Sequence, residues 1–478
     1  MAKRGNGTAA APGSSKAQAL TSVPPAKRAR FAASDKSAAQ TKKRMSAPAP
    51  SSRAKPAKTA SVAPTHFVVS AGSYERLLYG LRCHFEATEA KAEQPGPSRK
   101  LIVEPYFAFP AHLSSLKTVA ASRLVSPQTG SERKVGGKYL VSGGTDEIIK
   151  VWDLKRRREV GTLEGEASGT ITCLQFVPDR NMLLAASTDS NITLYRVRDW
   201  VLLRALKGHK GRVNCVDAHP AGRVALSVGQ DKMLRMWDLV AGKAVSTMKL
   251  GAEGDVVRWN TDGTKFATIC GNQLTVYGID MTVLHALSGP SRFHDVHFSY
   301  LPLDKQDPAQ SEYLFVACED GKTRIFDVAT PSVTDSEVEN ATTLEPVAVL
   351  IGHKNRVKML ELLEVAAPDS EISTVIACSA SSDGFIHMYD LATLPTRIDG
   401  TIAASVEIEP CGAFDTEASR LTCICAIGLT DVPTQSVGAD EDEQASSDEE
   451  SDSDSESLLD EEEYEDEEDE NEAEIESE

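Results

Sequence analysis

His209, Ser227, Asp231 and Trp237 fall in one stretch, GHKGRVNCVDAHPAGRVALSVGQDKMLRMWD, which runs from Gly208 to Asp238. An imidazole, a hydroxyl and a carboxylate at such offsets can act as acid–base groups, as metal ligands or as a buried polar relay. The indole favours the relay: its N–H is an end donor, and the carboxylate orients the imidazole. Such a network is worth burying only when every member is paired. Ser142, Asp146 and Trp152 repeat the offsets in VSGGTDEIIKVWD, with His112 upstream after a longer gap. His353, Ser379 and Asp383 repeat them in a segment closed by Tyr389. A set of groups that recurs is better explained by a recurring turn than by a reaction centre. Asp320 occupies a comparable turn. The chain has no G-x-S-x-G or H-E-x-x-H, and GGKYL lacks the full phosphate-loop spacing. Nine cysteines include no C-x-x-C pair, and Cys173, Cys215 and Cys423 share one register, so they read as reduced, buried strand residues. The expectation is a protein without catalytic residues, cofactor or metal.

The elements that must position the relay are short strands. Val213 to Ala218, Arg223 to Val228 and Met233 to Trp237 alternate apolar and polar residues between tight polar joints. Closing aromatics recur at Trp152, Tyr195, Trp237, Tyr277, Phe326 and Tyr389, at steps of 43, 42, 40, 49 and 63 residues. A propeller blade repeats at roughly 40 to 45 residues, so the two long steps carry insertions. These fall near Leu301 to Ser311, Pro331 to Asn340 and Glu364 to Ser373; Ser122 to Gly137 is a further insertion in blade one. Blade two has Gly165-Glu166 in place of Gly-His and should lack the relay. HFVVSAG, YERLLYGLRC and Leu101 to Phe109 supply three strands of a seventh blade, and RLTCICAI at Arg420 to Ile427 supplies its missing first strand. The predicted fold is all-β: a seven-bladed propeller over residues 65–430 whose ends meet in one blade. That closure removes open edges and predicts a monomer outside any larger particle. Leu391 to Ser419 has no clear place in this scheme.

Charge is segregated. The net charge is -19, yet residues 1–60 hold 13 Lys/Arg and one acid, while residues 440–478 hold 24 acids and no Lys or Arg. Residues 1–64 read as a disordered basic arm and 431–478 as a disordered acidic tail. Lys27, Arg28 and Arg30 in KRAR, and Lys42, Lys43 and Arg44 in KKR, form two basic clusters on the arm. They suit a nuclear import receptor; solubilising charge and nucleic-acid contact are the alternatives. The tail suits basic partners, solubility or shielding of basic surfaces. Ser446, Ser447, Ser451, Ser453 and Ser457 each have an acid three residues on, which suits an acid-directed kinase. No run of 18 apolar residues and no signal-peptide segment is present, so neither a membrane span nor secretion is expected. Lys210, Arg212, Lys354, Arg356 and Lys358 occupy matching inter-strand loops, and Lys232 and Arg235 add charge beside blade three. These are the candidate partner contacts, for rRNA phosphates or an acidic protein helix. Lys155 to Arg158 belongs to another edge, and no aromatic stacking platform accompanies the set.

The segments AGSYERLLYGL, TDEIIKVWDLKRRREVGTL, GTITCLQF, GHKGRVNCVDAHPAGRVALSVGQDKMLRMWDLVAGKA, GHKNRVK and SASSDGFIHMYD together resemble the p21-activated-kinase-interacting WD-repeat protein family. Its fungal counterpart is a maintenance-of-killer ribosome-assembly factor. The resemblance covers most of residues 67–427 and includes the closing segment RLTCICA. It implies a seven-bladed WD40 propeller of the nucleolus and nucleus, acting as a scaffold on pre-60S particles among assembly proteins, large-subunit ribosomal proteins and rRNA. Its animal members imply a second role, binding and restraining a p21-activated kinase. A third use of propellers, substrate recognition in a ubiquitin ligase, is weakened because no F-box or similar module is added. The arm and tail lie outside the resemblance.

Overall fold

The computed structural model describes residues 63–87, 99–123, 136–163, 169–178, 180–301, 312–328, 345–366, 373–394 and 405–429. All of them belong to the compact unit Ala60–Glu478. The import clusters, the acidic tail and most of each expected insertion lie outside the described residues.

The described strands form seven sheets: six carry a closing aromatic of the period, and the seventh joins the two ends of the ring. Blade one is Leu116–Arg123, Gly136–Gly144, Ile149–Asp153 and Arg158–Leu163; blade two is Ile171–Val177, Met182–Ser187, Asn191–Arg196 and Val201–Lys207. Blade three is Val213–Ala218, Val224–Gly229, Met233–Asp238 and Lys243–Lys249; blade four is Val256–Trp259, Lys265–Cys270, Gln273–Gly278 and Val283–Ser288. Each is an antiparallel meander. The period has a local cause: the register of the third and fourth strands shifts at Val151/Trp152, Leu194/Tyr195, Met236/Trp237, Val276/Tyr277 and Ile325/Phe326, directly before five of the six closing aromatics. The aromatic therefore marks a bulge that twists the outer strand.

Burial follows position in the blade. Second strands such as STVIACSAS and EYLFVAC are buried almost throughout, because both their faces meet neighbouring blades. Outer strands such as REVGTL are largely exposed. The apolar clusters cross the seams: one joins Leu194 of blade two, Val216 and Trp237 of blade three, and Val257 and Phe266 of blade four. Each fully buried Val, Leu or Ile contributes roughly 1.5–3 kcal/mol before entropy is counted.

Leu421–Leu429 is the first strand of blade seven and pairs antiparallel with His66–Ser73, followed by Leu77–Ala87 and Arg99–Pro110. Two distant parts of the chain thus close the ring. The segment without a clear place in the sequence holds two strands. Gly412–Asp415 pairs with Phe385–Asp390 as the outer strand of blade six, whose other strands are Val357–Ala366 and Ser373–Ser381. Val406–Ile408 instead lies parallel to Pro346–Leu350. It is a fifth strand on blade five, after Phe293–Tyr300, Glu312–Cys318, Thr323–Asp327 and Pro346–Leu350. The chain visits the preceding blade before finishing its own, so no 40-residue spacing survives there. The cysteines are all free; Cys173, Cys215 and Cys423 are buried as expected, whereas Cys411 is exposed.

Candidate interaction face

In a four-stranded meander the connection into the first strand and the turn between the second and third strands lie on one face, here called the top. The relay residues come from these two places, so each relay ties one top connection to one top turn. In blade three the Trp237 indole donates to Ser227 Oγ at 2.8 Å, Ser227 Oγ lies 2.7 Å from His209 Nε2, and His209 Nδ1 lies 3.0 Å from the Asp231 carboxylate. Blade one repeats this: Trp152 to Ser142 at 2.8 Å, Ser142 to His112 at 2.8 Å, and His112 to Asp146 at 2.9 Å. One tautomer uses every donor. The indole N–H donates to serine, the serine O–H to Nε2, and Nδ1–H to the carboxylate, which also accepts backbone N–H groups from Lys210 and Met233.

Hydroxyl, imidazole and carboxylate stand here in the order of a nucleophilic triad. Their burial gives them another role. Ser142, Ser227 and Ser379 are fully buried, and in blades one and three the serine oxygen is occupied by an indole N–H. Burial lowers the pKa of His112 and His209, which favours the neutral imidazole the relay needs. Burial alone would raise Asp231, but hydrogen bonds from His209 and the Lys210 amide bring it below the usual range. The arrangement can lock turns; it leaves the serine oxygen no access to a substrate.

Blade six departs from the pattern. His353 Nε2 lies 2.8 Å from Ser379 and Nδ1 3.2 Å from Asp383, but the Tyr389 hydroxyl donates to the Ile351 carbonyl at 3.0 Å. His387 stacks on His353 with ring centroids 4.1 Å apart. In blade two Asp189 accepts directly from Ser187, without an intervening imidazole. In blade five Asp320 pairs with Arg324 at 2.5 Å.

The candidate contact residues separate into groups. Lys210, Lys232 and Lys354 are exposed beside the relays, and the Lys210 and Lys354 amides bond Asp231 and Asp383. Arg235 is half-buried and 3.9 Å from Asp231. Arg212 is engaged by Glu253 at 2.7 Å. Arg356 and Lys358 have no ion pair among the described residues. Burial, then Arg356, Arg420 and Arg292, bring Lys358 down to about 8. Lys155 to Arg158 lies at the turn between third and fourth strands, on the opposite face.

Arg292, Arg420, Lys117 and Tyr74 were missed by the sequence reading. A signal for two of them was present: an arginine directly precedes the first strand in four blades, as Arg212-Val213, Arg292-Phe293, Arg356-Val357 and Arg420-Leu421. Tyr74 is 53% exposed at a top turn, with Lys117 Nζ and the Arg420 guanidinium 5.8 and 5.7 Å from its ring centroid. Tyr74 thus stands beside two cations that lie outside the candidate set read from sequence.

The first strands of all seven blades line a central cavity of about 700 Å³. Its charges are mutually engaged: Arg258 lies 3.5 Å from Asp295, and His297 3.3 Å from Asp295. Asp217 accepts the Trp259 N–H at 2.7 Å and Asp295 the Leu360 N–H at 3.1 Å, so each carboxylate clips its blade to the next. Burial raises the Asp217 pKa; at Asp295 burial is outweighed by His297 and Arg258, and the pKa is lowered. Among the described residues no group of three or more His, Cys, Asp or Glu is placed to hold a metal.

Comparison with known sequences agrees with the ring. The WD domain, G-beta repeat pattern matches residues 134–153, 157–196 and 200–238. The human p21-activated protein kinase-interacting protein 1 is 30% identical over 355 residues, covering 74% of this chain and 75% of the relative. The zebrafish p21-activated protein kinase-interacting protein 1-like is 27% identical over 361 residues, covering 75% and 80%. Protein MAK11 of Saccharomyces cerevisiae is 29% identical over 316 residues, covering 60% and 70%.

Proposed function

The chain belongs to the family of p21-activated protein kinase-interacting protein 1, and on that premise we propose that it is a non-catalytic scaffold in nucleolar assembly of the 60S ribosomal subunit. In this reading it binds pre-60S proteins and rRNA. The observation that carries it is the top face, where closed relays hold the turns rigid and leave Arg356 and Lys358 without an ion pair among the described residues. A rigid ring bearing unneutralised cations is suited to docking on an acidic partner. The similarity to the yeast protein, and the resemblance to fungal ribosome-assembly factors, support this partner class. The KRAR and KKR clusters, outside the described residues, support nuclear and nucleolar placement through an import receptor.

One observation favours a second reading, a signalling adaptor that binds and negatively regulates a p21-activated kinase: the human relative is named for a kinase interaction. Affinity purification with crosslinking from growing cells separates the two. The scaffold predicts recovery of large-subunit precursor rRNA with large-subunit and assembly proteins. Recovery of kinase components alone replaces it with the adaptor, and recovery of neither rejects both.

A further inference from the structure

The first strands share a device that three blades do not complete. Register shifts in blades one, two, three, five and six fall at Leu116/Thr118, Ile171/Cys173, Val213/Cys215, Phe293/Asp295 and Val357/Met359, and blade seven shifts opposite Leu421 and Cys423. The residues passed over are Lys117, Thr172, Asn214, His294, Lys358 and Thr422. Where that residue is short and polar, it reaches the next blade. Thr172 donates to the Val213 carbonyl at 2.6 Å, Asn214 to the Gly254 carbonyl at 2.8 Å, and Thr422 to the Leu116 carbonyl at 2.9 Å. The bulge is thus a latch between neighbouring blades at the top of the cavity.

Blades five, six and one carry His294, Lys358 and Lys117 at this position. His294 Nε2 is buried without a hydrogen-bond partner among the described residues, as is Ser291 Oγ nearby in sequence. Lys358 and Lys117 make no hydrogen bond or ion pair among the described residues. The arginines before the first strands sharpen the contrast. Arg212 and Arg292 are engaged by Glu253 and Asp255 at 2.7 and 2.6 Å, whereas Arg356 and Arg420 have no such partner among the described residues. Glu75 takes the Arg420 backbone N–H. Unneutralised charge therefore runs along an arc over blades six, seven and one, with Tyr74 in its middle. Burial, and after it the nearby Arg356, Arg420 and Arg292, depress the Lys358 pKa, opposed there by Glu319.

We propose that this arc is a binding track for single-stranded RNA, with Arg356, Lys358, Arg420 and Lys117 meeting successive phosphates and Tyr74 stacking on a base. It rests on the scaffold reading above and names the RNA-contacting part of that surface. Cations spread over three blades match a polymer with a charge on every unit better than one acidic side chain. An exposed ring among them is the second element of single-strand binding. These residues are exposed or half-buried and take no part in the relays.

The test is fluorescence anisotropy of the full chain with a uridine RNA of about 12 nucleotides, a length within usual single-strand site sizes. It is run across about 50 to 200 mM salt. Arg356→Gln, Lys358→Gln, Arg420→Gln and Lys117→Gln should each weaken binding and reduce the slope of log affinity against log salt by about 0.7. Tyr74→Ala should weaken binding by roughly tenfold. Lys243→Gln, on the outer strand of blade three, should leave the slope unchanged. Slopes in the four variants equal to that of the unaltered chain overturn the track. Binding of an acidic peptide through the same residues, with no RNA binding, overturns RNA as the ligand. Because purified components are used, a negative result is distinct from failure of the scaffold, which the cell purification reads.

Discussion

Ser227 accepts a hydrogen bond from Trp237 and stands within bonding distance of His209, so its removal orphans two buried groups at once. Ser227→Ala should lower stability by roughly 2–4 kcal/mol, read from the denaturant midpoint, because each orphaned group carries its own desolvation cost. Ser379→Ala should cost less: the Tyr389 hydroxyl has its own acceptor in Ile351. Equal losses in the two variants would show that the relays of blades three and six are equivalent despite their different ends. The relay could be read in sequence because a buried chain of donors and acceptors admits few residue types at few offsets. Arg258 could not be read. Its partner Asp295 lies in the next blade's strand, and nothing periodic links the two. Tyr74 escaped for a related reason: its cations come from Lys117 and Arg420, distant in sequence and joined only by ring closure.

At the level of strands, a short apolar alternation with a tight joint was sufficient to find the first three strands of most blades. It failed for Val406–Ile408 and Gly412–Asp415, which are three and four residues long and pair with strands of two different blades. Such strands are fixed by what they meet rather than by their own pattern. The first strand of blade seven was recognisable because Cys423 repeats the register of Cys173 and Cys215. Its contribution can be measured directly. A chain ending at residue 430 should keep a cooperative thermal transition. One ending at residue 420 should lose it, since the His66–Ser73 edge and buried Val68 and Val69 lose their cover. A retained transition in the shorter chain would mean that the ring is stable while open.

Across the whole ring, several histidines are held neutral. Burial lowers the pKa of His112 and His209 from 6.5, and lowers His294 and His387 to about 4, with neighbouring cationic or imidazole groups acting in the same direction on the latter pair. For each, the unfolded chain binds the proton more readily than the folded one. Their contribution is present above pH 6.5 and is lost as pH falls through the folded values. Asp217 and Glu312, raised by burial, act in the opposite sense and contribute at low pH. A single variant isolates the histidine share: His387→Phe keeps a ring against His353 and should flatten the decline in melting temperature between about pH 6.5 and about 4. An unchanged pH profile would assign the decline to other groups.

The pairing of His66–Ser73 with Leu421–Leu429 also sets a timetable for synthesis. At about 5–20 residues per second, the early strand waits roughly 20–70 s for its mate to be translated. Throughout that interval a nascent chain shows one unsatisfied backbone edge, the kind of surface on which chains join one another. Slower elongation lengthens that exposure.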